Sequence, residues 1–231
     1  MSVNATIANR ISDLIGDTYS TIPSNSYKDL INAAFNEVAD MMSIDTLLKY
    51  SDTPTNVTSA SGVSVEDKKI LKVIRVDANS NGVDKECKYV DQTLYSIASD
   101  SGSIYKATPY SPVYTIYSIN NASTVLIHPD CNSNGQVGRI WLFSYALAST
   151  DLTAVTTATL NTSYFMPSTS MHAIVLKSCI NILNAYVSEQ VQAEEDQELL
   201  NMVAAQIQNL EKSFTQEIQR FAETTEPPLG E

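Results

Sequence analysis

VIRVDANSNG (Val73–Gly82) and LIHPDCNSNG (Leu126–Gly135) share a polar run that is compatible with either a helical calcium loop or a turn between strands. Each ends in an Asp-x-Asn-x-Asn-Gly run that matches the first six positions of an EF-hand calcium loop, which would make the region helical. Calcium takes six to eight oxygens, and such a loop needs a bidentate Glu at its twelfth position. That position is Lys88 counted from Asp77 and Trp141 counted from Asp130. The flanks also carry β-branched residues in short runs, not helical spacing. Both stretches therefore read as turns between strands, with Asn81-Gly82 and Asn134-Gly135 as hairpin dipeptides that tolerate positive φ. No calcium is expected at Asp77 or Asp130.

Outward from these turns, the composition from about Val65 to Phe165 stays β-branched and aromatic. The runs ILKVIRV, PVYTIYSI, STVLIHP and GRIWLFSYA are broken by Gly, Pro and Asn clusters, predicting a β domain of about six or seven strands. The tyrosines between Tyr89 and Tyr164 suit half-buried sheet faces, where a ring packs and its hydroxyl stays wet.

Helical periodicity brackets this region. Ile7, Ile11, Leu14 and Ile15 recur at helical spacing, and Leu30, Ala34, Phe35, Val38 and Met42 restart the pattern beyond Pro23. Ser26 followed by Asp29 reads as a capping-box start. No Gly or Pro occurs from Ser168 to Glu226. There, STSMHAIVLKSCINILNAYV opens with Ser/Thr caps and carries Met171, Ile174, Val175, Ile182 and Tyr186 on one face. Glu194, Glu195, Asp196 and Glu198 suit the first turn of a last helix, where carboxylates meet the positive end of the helix dipole. That helix repeats every seven residues through Leu200, Ile207, Phe214 and Phe221, flanked by Val203 and Leu210, so it should pack along another long helix or a neighbouring subunit.

The expected fold class is α+β. Residues 1–50 and 168–222 form a helical bundle, an antiparallel β domain (sandwich or barrel-like) is inserted at 65–165, and residues 223–231 form a flexible tail too poor in apolar groups to fold alone.

Bulk properties narrow the function. With 231 residues and no run of about 18 apolar residues, the chain reads as a globular protein without a membrane span. MSVNATIANRISDLIGD lacks the charged and apolar regions of a secretory signal, so export is not expected and the sequons at Asn4, Asn56, Asn121 and Asn161 read as chance. Three widely spaced cysteines, Cys87, Cys131 and Cys179, fit neither a disulfide framework nor zinc ligands. A formal charge of −12, spread along the chain, argues against wrapping nucleic acid.

Catalytic motifs are missing. The two histidines, His128 and His172, come with no HExxH or GxSxG, and no phosphate-cradling glycine loop occurs. No cofactor or enzymatic activity is expected. A sugar-binding or hydrolytic protein using tyrosines, Trp141 and scattered carboxylates is the alternative from a different class.

The order of segments carries a resemblance. The helical start, then PVYTIYSINNASTVLIHPDCNSNGQVGRIWLFSYA, LNTSYFMPSTSMHAIVLKSCINILNAYV and EEDQELLNMVAAQIQNLEKSF, is similar to the head-to-tail adaptor proteins of tailed bacteriophages. More narrowly, it resembles the neck ring proteins of short-tailed phages, including crAss-like ones. The resemblance implies a structural virion protein that forms a homo-oligomeric ring, typically of twelve copies. Such a ring lies between the portal and a tail or nozzle protein, at the neck, and DNA passes through it without specific binding. Phe214 and Phe221 would then be ring-interface residues, and Pro227, Pro228 and Leu229 the anchor of a tail that orders on a partner. Another tail or minor capsid protein is the rival within the same class.

Overall fold

The computed structural model describes residues 5–16, 24–51, 53–77, 83–119, 122–132, 135–147, 149–192 and 197–223. The fold is mixed α+β and divides into two compact units. A helical unit combines Met1–Tyr50 with Ala146–Glu231, and a β unit spans Ser51–Tyr145.

In the helical unit, α1 (Ile7–Ile15), α2 (Ser24–Met41) and α3 (Ile44–Tyr50) precede the β unit. The isoleucines Ile7, Ile11 and Ile15 of α1 are buried, as their spacing predicts. The Thr6 hydroxyl accepts the N–H of Asn9 at 3.2 Å, and carbonyls of Val155 and Thr153 accept those of Ile7 and Ala8, so the orphan donors of the first turn are satisfied. Helix α2 starts at Ser24, so Ser26 lies inside its first turn and does not cap it. Its buried stripe is Ile31, Ala34, Phe35, Val38 and Ala39, continued by Met42 just past its end.

Two amides of α2, one turn apart, hold the segment where the chain re-enters this unit. Asn36 donates from Nδ2 to the Ala146 carbonyl at 3.0 Å and accepts the Ala146 N–H on Oδ1 at 2.8 Å. Asn32, 4% exposed, donates to the carbonyls of Leu147 and Thr150 at 2.8 and 3.0 Å. Each amide supplies what a neighbouring strand would otherwise supply, so this irregular segment, in which Ala146 is buried and Leu147 exposed, keeps its backbone bonds.

Helix α6 (Met171–Gln192) is the centre of this unit, with α1, α2 and the antiparallel α7 (Gln197–Glu223) packed on it. It buries Met171, Ala173, Ile174, Val175, Leu176, Cys179, Ile180, Ile182 and Leu183, which surround the helix axis. The single apolar face expected there is thus an incomplete picture, since a helix with neighbours on several sides is apolar on several sides. The Ser/Thr caps expected at its start are also replaced. A 3-10 turn at Ser168–Ser170 leads into α6 with no side-chain cap, and the Ser170 hydroxyl donates to the Pro167 carbonyl at 2.7 Å.

The β unit has two four-stranded sheets. The first runs in the order β1 (Thr55–Val57), β8 (Gln136–Ser144), β3 (Lys68–Asp77), β4 (Val83–Glu86), all antiparallel. The second runs β2 (Val63–Ser64), β7 (Ala122–His128), β6 (Val113–Ile119), β5 (Lys88–Tyr89). Strand β5 pairs parallel with β6, so this sheet is mixed, in contrast to the antiparallel domain expected. Val57, Val73 and Ile140 of the first sheet meet Val125 and Ile127 of the second in one core. The other face of the second sheet is covered by α4 (Gln92–Ser99), through Ala98, Tyr95 and Val113. The unit is therefore layered as sheet, sheet and helix.

Two boundaries differ from expectation. The β unit begins at Ser51 and ends at Tyr145, not at 65 and 165. The Thr-rich stretch up to Phe165 instead contains α5 (Thr157–Tyr164), opened by a reciprocal capping box between Thr156 and Thr159. Local capping and the edge contact of Tyr164 with Phe35 at 6.0 Å override weak helix propensity.

Candidate interaction surfaces and buried sites

The two Asp-x-Asn-x-Asn-Gly stretches converge on one side chain. Arg75, 2% exposed, points into the sandwich from β3. Its Nη1 lies 3.4 Å from Oδ2 of Asp77, and its Nε donates to the carbonyl of Pro129 at 3.0 Å. One guanidinium thus ties the start of the first stretch to the residue that precedes Asp130 in the second. Asp77 serves as a buried countercharge, while Asp130 is exposed and its Oδ1 lies 3.4 Å from Nδ1 of His128. The two aspartates have separate structural partners, and among the described residues no group of three His, Cys, Asp or Glu could hold a metal.

The two stretches also differ as turns. The first joins β3 to its antiparallel neighbour β4, with Asp77 opposite Val83; Asn81 and Gly82 lie outside the described residues. The second leads from β7 in one sheet to β8 in the other, so it is a sheet crossing and not the hairpin expected. It folds back locally, since Asn132 N–H donates to the Gln136 carbonyl at 2.9 Å and Gly135 has φ 87°. Asn134 is outside the described residues.

The residues considered for catalysis are scattered. His128 packs edge-on against Tyr95 at 6.1 Å in the β unit, and His172 is exposed at the start of α6 in the helical unit. Trp141 lies opposite Lys72 and alternates with inward-facing Ile140, which places it on the outer face of the first sheet. The cleft of about 530 Å³ in the β unit is lined instead by Glu66, Asp67, Lys68, Tyr114 and Tyr145, over an apolar floor that includes Ile70. Glu66 and Asp67 are consecutive on one turn, with Asp67 at φ 54°, so they do not face each other across a substrate as paired hydrolytic carboxylates do. Burial pushes the thiols of Cys87 and Cys179 up to about 12 and also raises Cys131, so none is an activated nucleophile.

The expected interface residues fall as follows. Val203 and Leu210 are the buried residues of α7 against α6, and Leu200, Ile207, Phe214 and Phe221 are half-buried beside them. The Lys177 ammonium lies 5.7 Å from the Phe214 ring centroid and 2.8 Å from Glu37, joining α2, α6 and α7. The partner for this helix is thus supplied within the chain by α6. Pro227, Pro228 and Leu229 lie outside the described residues, as do Glu194, Glu195 and Asp196; Glu198 is exposed in the first turn of α7.

A different surface was hidden in the sequence. Tyr89, Ile104, Tyr105 and Tyr110 are 60 to 90% exposed, contrary to the half-buried setting expected for the tyrosines. The available signal was isolated apolar residues set among turn formers in SDSGSIYKATPYSP (Ser99–Pro112).

Charge is partitioned between the units. The helical unit has six Lys and Arg against seventeen Asp and Glu, a formal charge of −11, and the β unit has eight against nine, a formal charge of −1. The carboxylates themselves are spread through both units, and the difference in net charge comes mainly from the scarcity of Lys and Arg in the helical unit. No helix among the described residues is long and apolar enough to cross a membrane. No protein-family model matches this chain, and no curated protein is significantly similar to it.

Proposed function

We propose that this chain is a structural virion protein, a head-to-tail adaptor that assembles as a ring between a portal and the tail of a phage. The observation that supports this reading is the charge partition: the helical unit has a formal charge of −11 and the β unit is near neutrality. An acidic wall repels the phosphate backbone, so DNA moves past it without being held. The reading assigns the chain no chemistry and no cofactor. Its mechanism is geometric, with copies of one chain holding a channel open.

The test is to mix purified chain with the portal protein of the same phage and image the product. A ring with a central hole docked on the portal is the expected outcome, together with no retardation of duplex DNA at low salt. Failure to bind portal, or tight DNA binding, would sink the reading. Glycan binding lost on Trp141→Ala would replace it with the sugar-binding alternative.

A further inference from the structure

We draw no further inference here: the strongest candidate, the open cleft of about 530 Å³ in the β unit with an apolar floor that includes Ile70 and a rim of Glu66, Asp67, Lys68 and Tyr145, carries nothing because that rim mixes two exposed carboxylates with one exposed ammonium and nothing in the structure shows what fills it.

Discussion

Arg75 and Asp77 meet inside the β unit, Nη1 to Oδ2 at 3.4 Å, with their side chains 2% and 6% exposed. A charge pair this deep is strongly destabilising to break, because removing one member leaves the other's charge desolvated without its counterion. Arg75 also holds the Pro129 carbonyl, so its loss reaches both turn stretches. Arg75→Ala is expected to cost about 3–5 kcal/mol. Replacing both members with apolar residues, Arg75→Met with Asp77→Leu, should restore most of that. Urea unfolding followed by Trp141, the chain's single tryptophan and a member of the β unit, measures both variants; an Arg75→Ala protein as stable as wild type would show the pair to be structurally idle.

Gly138 faces Arg75 across the β3–β8 ladder and lies where the two sheets approach closely. A Cβ at this position would run into Ile127 Cδ1, at 3.0 Å from Val57 Cβ and 3.4 Å from Cys131 Sγ. Gly138→Ala should therefore destabilise the β unit by about 1–3 kcal/mol through overpacking. Ile127→Val removes the nearest obstructing methyl, so the double variant should lose less than the sum of the two single changes. Strict additivity would place the clash elsewhere.

The sequence made α1 and much of α2 legible, because Ile7, Ile11 and Ile15, then Ala34, Phe35, Val38 and Met42, are spaced for one helical face and are buried. It did not reveal α4. QTLYSIAS is short and partly β-branched or aromatic, and its start depends on one carboxylate, Asp91 Oδ1 accepting the Leu94 N–H at 2.7 Å. The parallel pairing of β5 was invisible because two residues carry no period, and their register is imposed by the neighbouring strand. The expected face of α7 ran through Leu200, Ile207, Phe214 and Phe221 with Val203 and Leu210 beside them, and of these Val203 and Leu210 are buried while the other four are half-buried. A heptad pattern marks the apolar face, and packing against α6 selects which of its lines is the more deeply buried. The exposed segment near Ile104 was illegible for a different reason: composition shows which residues are apolar, not which of them the fold leaves outside.

Asn36 gives the re-entering segment at Ala146 both of its backbone hydrogen bonds. Asn36→Ala leaves an N–H and a C=O without these partners, and at about 1–3 kcal/mol for each buried group the expected loss is about 2–6 kcal/mol. Hydrogen exchange is the sharper readout, with the amide of Ala146 expected to lose protection before the amides of α6. An unchanged exchange rate at Ala146 would mean that another group holds the segment.

Asp151 should give the helical unit an acid-sensitive contribution. Hydrogen bonds from Thr153 and then the Lys28 ammonium at 2.9 Å lower its carboxyl from the ordinary 3.8 to about 2. A carboxylate whose pKa is lowered in the folded state stabilises above its unfolded value and stops doing so as pH falls through its folded value. The stability difference between wild type and Asp151→Asn should be present at pH 6, shrink between about pH 4 and 2, and vanish below. The side chain is 46% exposed, so solvent screening keeps the difference small. Midpoints of urea unfolding across that range test the sign, and a gap that widens toward acid would contradict it.

The three thiols should behave oppositely, at the alkaline end. Burial raises Cys87 and Cys179 from 9.0 to about 12, and it raises Cys131 as well. Groups whose pKa is raised in the folded state contribute stability that is complete below the unfolded value and is lost as pH rises through the folded one. The window here runs from about pH 9 to about pH 12. At pH 8 the native protein should leave Cys87, Cys131 and Cys179 unreactive toward a disulfide reagent, and all three should react once guanidinium unfolds the chain. Replacing each in turn with Ala separates the contributions, and rapid modification of any one in the native state would show that its burial is transiently lost.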